Sequence, residues 1–70
     1  MKLSARNQLT GTIKGIKQDQ IMAEITVELD GGQELVSVIT ASSVHRLELK
    51  VGNKITVVIK STEVMLATDD

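Results

Sequence analysis

The sequence predicts an all-β fold: an OB-like, five-stranded small barrel with one short helix between its third and fourth strands. Three observations carry the prediction. Apolar residues alternate with polar ones along most of the chain, glycine-bearing turns separate the alternating runs, and one hydroxyl-rich stretch breaks the alternation with helical spacing. Strand, strand, strand, helix, strand, strand is the order of a partly open OB-like barrel.

Taken in order, Leu9, Gly11 and Ile13 share one parity and mark the first strand. Ile21, Ala23, Ile25, Val27 and Leu29 then form one face of a second, with Met22, Glu24, Thr26 and Glu28 opposite. Asp30-Gly31-Gly32 supplies the positive-φ positions of a tight hairpin, and Leu35-Val36-Ser37-Val38-Ile39 follows as the third strand. Thr40-Ala41-Ser42-Ser43 offers hydroxyl caps ahead of Val44 and Leu47, which reads as the helix. Lys50-Val51-Gly52-Asn53 is a turn, Lys54 to Ile59 a fourth strand, and Val64-Met65-Leu66-Ala67 a short fifth. The tail Thr68-Asp69-Asp70 reads as frayed.

At 70 residues the chain holds one domain, expected over residues 2–67, and no interdomain cleft. It contains no Phe, Tyr or Trp, so the core lacks the side chains that bury most area. A core this small usually needs reinforcement by a disulfide, a metal or assembly. With no Cys, and His45 as the only imidazole, a disulfide is impossible and structural zinc disfavoured, which leaves assembly. The third and fourth strands point the same way. They are apolar on both parities apart from Ser37 and Thr56, so Val36, Val38 and Val58 form an outer apolar patch that another subunit would cover.

Net charge is −1, with 8 basic and 9 acidic residues, so no global field attracts a polyanion. Single-strand binding by an OB-like barrel relies on aromatic platforms and a basic groove, and this chain has neither, so no nucleic-acid partner is expected. No apolar run reaches membrane-spanning length and the start is not a signal peptide, so the expected location is cytoplasmic, with no membrane partner. Catalysis lacks its parts: there is no Cys and no paired-carboxylate phrase, and His45 beside Arg46 reads as a solvated helix residue. The chain is therefore expected not to be an enzyme.

Any chemistry is local. Ser4-Ala5-Arg6-Asn7, Thr40-Ala41-Ser42-Ser43 and Lys60-Ser61-Thr62 each combine hydroxyls, cations or free backbone N–H groups at the end of an element. Arg6 presents a planar fork of donors, Lys60 a compact ammonium, and the hydroxyls rotate to suit, which fits an anion whose oxygens point several ways. Ser42 and Ser43 also serve simply as helix caps.

The phrases Ser4-Ala5-Arg6-Asn7-Gln8-Leu9, Val36-Ser37-Val38-Ile39-Thr40 and Ile59-Lys60-Ser61-Thr62-Glu63-Val64-Met65 resemble those of the molbindins, the Mop-like molybdate- and tungstate-binding proteins with a TOBE-type domain. The resemblance implies an OB-like barrel that assembles as a homohexamer, a trimer of dimers, and holds molybdate or tungstate as a ligand at subunit interfaces. Its implied role is intracellular molybdenum storage or homeostasis. Carried over by motif, Ser4, Ala5 and Arg6 of one subunit would face Lys60 and Ser61 of another, with Thr40 and Ser43 nearby, and no side chain would ligate the metal directly. Lys17-Gln18-Asp19-Gln20 lacks a glycine that many relatives carry in that turn. A start at Met1 fits a free-standing protein rather than an appended domain. Beside this stands the reading of a structural module whose apolar outer strands bind another protein.

Overall fold

The structure, a computed structural model, describes residues 1–69; of the tail read as frayed, Asp70 lies outside them. Among the described residues there are four strands, β1 (Asn7–Gln18), β2 (Met22–Leu29), β3 (Glu34–Thr40) and β4 (Lys54–Ile59), with the helix α1 (Ala41–Arg46) between β3 and β4. They form one antiparallel sheet in the order β3-β2-β1-β4, curled into a half-barrel, so the OB-like all-β fold stands. The expected strand count does not. Residues 64–67 form no strand, because they enter no ladder after the turn of 3-10 helix at Ser61–Glu63; they remain exposed, with Val64 in extended backbone.

β1 organises the sheet. Its first part pairs with β4, from Asn7↔Ile59 to Thr12↔Lys54, and its second with β2, from Gly11↔Leu29 to Gln18↔Ala23. The two ladders overlap only at Gly11 and Thr12, so the strand turns a corner between two arms. Gly11 sits at that corner because nothing larger fits: a Cβ there would lie 2.6 Å from Val27 Cγ1 and 2.7 Å from the Glu28 carbonyl oxygen. Just beyond, a bulge between Ile13 and Gly15 adds a residue on β1, so Ile13 and Ile16 pair with Val27 and Ile25 of the same β2 face although they are three apart. A bulge sharpens the local twist, and here it helps curl the sheet.

The concave side holds the core. Ile13, Ala23, Ile25 and Val27 are buried there, with Val44 and Ala41 of α1 closing one end. The alternation predicted for β2 is thus seen, except that Ile21 is exposed and lies in the turn before the strand. That turn is built by Asp19, whose Oδ1 accepts from the backbone N–H groups of Ile21 and Met22, each at 2.8 Å. An Asx-type turn of this kind shapes the loop without a glycine. Between α1 and β4 the chain crosses back to β1: Gly52 N donates to Ile13 O at 2.8 Å and Ile13 N to Asn53 O at 3.0 Å. On the convex side Val36, Val38 and Val58 are exposed, as the sequence led us to expect for a single copy.

Candidate functional site

The β1–β4 ladder ends at Asn7↔Ile59. Arg6 precedes the first of these residues and Lys60 follows the second, so antiparallel pairing places the two cations side by side at one end of the sheet. Two side chains hold the join. Asn7 Nδ2 donates to the Ile59 carbonyl at 3.3 Å, and Gln8 Nε2 donates to the Ala5 carbonyl at 2.9 Å, pinning the segment that carries Ser4 and Arg6. On the other side, Glu63 N donates to Lys60 O at 2.9 Å and winds the chain into its 3-10 turn.

Ser4, Ala5, Arg6, Lys60, Ser61 and Thr62 together line one open hollow of about 430 Å³. Its lining carries a guanidinium, an ammonium and three hydroxyls, with no carboxylate. Among the described residues the ion pairs are Lys14–Glu28 and Lys54–Asp30, so Arg6 and Lys60 are not neutralised by a side chain. Two like charges at one mouth repel each other, and an anion between them relieves that repulsion while receiving charge-assisted hydrogen bonds. All the lining residues except Ala5 are exposed, so the chain by itself presents the hollow to water.

The family pattern assigned the Arg6 and Lys60 segments to different subunits, whereas here they share one hollow of one chain. The reason is the strand register, which joins residues 52 apart in sequence. Thr40 and Ser43 are not in that lining. Thr40 pairs with Met22 at the other end of the β2–β3 ladder, and β3 and β4 are the two opposite edges of the sheet. Their hydroxyls serve the cap of α1: Ser43 N donates to Thr40 Oγ1 at 3.1 Å, and Thr40 Oγ1 donates to Ser43 Oγ at 2.8 Å. Arg46 Nη2 adds a bond to Ser43 Oγ at 3.1 Å.

One residue of the hollow escaped the site read from the sequence, and one neighbour of Ser43 outside the hollow did too. Thr62 lies within the phrase Lys60-Ser61-Thr62 and was legible as a third hydroxyl beside the matched pair. Arg46 stands one helical turn after Ser43, a spacing that brings the two together on any helix. Among the described residues no cluster of three His, Cys, Asp or Glu side chains could hold a metal ion, and no helix is long and apolar enough to cross a membrane.

The sequence pattern of the TOBE domain matches residues 3–66, nearly the whole chain. The chain belongs to the TOBE domain family. This TOBE domain is 47% identical over 66 residues to molybdenum-pterin-binding protein 1 of Clostridium pasteurianum, covering 94% of this chain and 97% of that one. Among solved structures it superposes with a TM-score of 0.91 on a molybdate-binding protein from Sporomusa ovata, at 41% identity over 97% of this chain and 100% of that one. The cytoplasmic molybdate-binding protein ModG, solved with molybdate bound, matches with a TM-score of 0.82 and 46% identity, over 87% of this TOBE domain and 43% of ModG.

Proposed function

We propose that this TOBE domain, acting as a single unit over residues 2–67, binds molybdate or tungstate between copies of itself for cytoplasmic molybdenum storage or homeostasis. The observation that carries the reading is the shared hollow, where Arg6 and Lys60 converge with the hydroxyls of Ser4, Ser61 and Thr62 and no carboxylate intrudes. Relatives named for molybdenum-pterin and molybdate binding supply the identity of the anion. One guanidinium and one ammonium offset a dianion formally, which lowers the cost of removing it from water.

A hollow this exposed holds a dianion weakly until something excludes water from it. In our reading a second copy supplies the cover, bringing Thr40 and Ser43 to the hollow of the first; the assembly is a homohexamer, a trimer of dimers. The exposed Val36, Val38 and Val58 and a core without aromatic residues support assembly. The same lack of aromatic platforms argues against single-stranded nucleic acid as a ligand.

The donor set also selects. Molybdate and tungstate are fully deprotonated near neutral pH, so donors satisfy every oxygen. Phosphate keeps a proton on part of its population, and a hydroxyl that turns to accept from that O–H is lost as a donor to the other oxygens, at a cost of about 0.5–1.5 kcal/mol. Sulfate carries no proton but is smaller, which lengthens its hydrogen bonds past the range of about 3.2 Å where they remain strong. Native mass spectrometry with molybdate, tungstate and sulfate added in turn tests the proposal. An oligomer that retains the first two and releases sulfate is expected; an oligomer that retains none of them sinks it.

A further inference from the structure

Thr40, Ser42, Ser43 and Arg46 form one hydrogen-bond network around α1, and its protons run onto a single oxygen. A serine hydroxyl has two lone pairs and one proton, whereas a guanidinium only donates. Arg46 Nη2 therefore fills one lone pair of Ser43 Oγ, at 3.1 Å, and Thr40 Oγ1 donates into the other at 2.8 Å. The proton of Ser43 itself has no acceptor among the described residues. Thr40 is the opposite case. Its proton is spent on Ser43, so Ser42 is the donor in their 3.2 Å contact, and the Ser43 N–H fills the remaining lone pair at 3.1 Å. Of the three hydroxyls, only that of Ser43 has a proton to give to an outside oxygen. Arg46 takes part in neither of the ion pairs found among the described residues, Lys14–Glu28 and Lys54–Asp30, so no carboxylate draws it away from Ser43.

We propose that Arg46 is a positioning residue for the oxyanion, holding Ser43 as a hydroxyl that donates and does not accept. In the assembly proposed above, on which this rests, a second copy brings Thr40 and Ser43 over the hollow of Arg6 and Lys60. The uncovered hollow faces water, so a protonated anion there turns its O–H outward and keeps every inner donor. Once covered, that O–H meets Ser43, whose lone pairs Arg46 and Thr40 already hold. The anion then turns its O–H inward, where a hydroxyl of Ser4, Ser61 or Thr62 has to accept it and is lost as a donor. Molybdate, tungstate and sulfate carry no proton and meet no such conflict. Accepting from a cation also polarises the Ser43 O–H, which makes it a stronger donor to all of them. Thr40 serves the anion only through Ser43. The six-residue α1 contributes side chains at a fixed spacing, and none of its backbone N–H groups is called on.

Sulfate and hydrogen phosphate are dianions of nearly equal size that differ by one proton, so the ratio of their affinities reads the lock. Each is used to displace bound molybdate from the full chain, in mildly alkaline buffer where phosphate is almost wholly its singly protonated dianion. The proteins compared are the unchanged chain, Arg46→Ala, Ser43→Ala and the double variant. Neither side chain belongs to the core, and the bond from the Ser43 N–H to Thr40 that caps α1 survives in all of them. The unchanged chain is expected to prefer sulfate. Arg46→Ala should narrow that preference about 2- to 10-fold, the worth of one neutral hydrogen bond, and Ser43→Ala by a similar factor. The double variant should narrow it no further than Ser43→Ala alone, because Arg46 acts through Ser43. Loss of the Arg46 charge by itself weakens two dianions alike and leaves their ratio in place. No preference for sulfate in the unchanged chain overturns the inference, and so does a ratio that Arg46→Ala leaves unmoved. Single effects that multiply in the double variant overturn it too. Molybdate held by the unchanged chain and by Arg46→Ala at one and the same ratio removes the lock and leaves the anion site standing. An unchanged chain that holds no molybdate removes the anion site, and the lock with it.

Discussion

Asn7 and Ile59 are joined twice, as the last pair of the β1–β4 ladder and by the Asn7 amide donating to the Ile59 carbonyl at 3.3 Å. That double join spaces Arg6 from Lys60, although neither Asn7 nor Ile59 lines the hollow. Replacing Asn7 by Ala removes one bond of neutral type, worth about 0.5–1.5 kcal/mol, and frees the end of the ladder. Molybdate affinity should therefore fall about 2- to 10-fold in a calorimetric titration. Unchanged affinity would show that the side-chain bond does not position the cations.

Arg6→Ala and Lys60→Ala act on the charges themselves. Each should weaken molybdate binding by about 2–3 kcal/mol, roughly 30- to 150-fold, the loss expected for charge-assisted bonds. Arg6→Lys should recover only part of it, because an ammonium cannot reproduce the planar fork. Equilibrium dialysis reads all three, and full binding by both alanine variants would falsify the site.

Gly11→Ala tests the corner of β1. The added methyl would meet Val27 Cγ1 and the Glu28 carbonyl at well below contact distance, and the carbonyl belongs to a paired strand that cannot yield alone. A loss of about 1–3 kcal/mol in denaturant unfolding is expected, as for overpacked sites. Gly15→Ala is the control, since its nearest neighbour would be Thr26 Cβ at 3.8 Å, and it should cost less.

Asp19 gives the fold an acid-sensitive turn. Hydrogen bonds from the Met22 and Ile21 backbone N–H groups hold its carboxyl below the ordinary value of 3.8. A group whose folded value is depressed contributes stability above its unfolded value and loses it as pH falls through the folded one. Asp19→Asn should therefore melt below the unchanged protein at neutral pH, and the gap should narrow once pH drops under 3.8. A gap independent of pH would assign the effect to something other than the charge.

Much of this architecture is legible in the chain because β2 alternates apolar with polar residues, while β3 and β4, apolar on both parities, announce two faces that both call for cover. Ala23, Ile25 and Val27 are buried where alternation put them, and Val36, Val38 and Val58 face outward. The second half of β1 was not legible, for a definite reason: the bulge at Lys14 and Gly15 breaks the parity, so Ile13 and Ile16 share a face at a spacing no strand pattern contains. Ile21 fits the alternation of β2 but falls outside the strand, because the Asp19 turn claims its N–H. Residues 64–67 carry the composition of a strand, yet pairing depends on reaching an edge, which composition does not encode.

The hollow was half legible. Arg6, Lys60 and the hydroxyls stand out locally as donors, but their meeting within one chain depends on the β1–β4 register, which no local phrase encodes. Thr40 and Ser43 show the converse. Their hydroxyls were visible both as caps and as anion donors, and the structure shows the cap bonds formed within the chain.

The corner at Gly11 divides β1 into two lever arms, one fixed in the core with β2 and one carrying β4. Arg6 and Lys60 ride on the same arm, so one ladder sets their spacing whatever the angle at the corner. The spacing of the charges and the direction in which they are presented therefore have separate origins, the first a ladder of hydrogen bonds and the second the bend that a missing side chain at Gly11 permits.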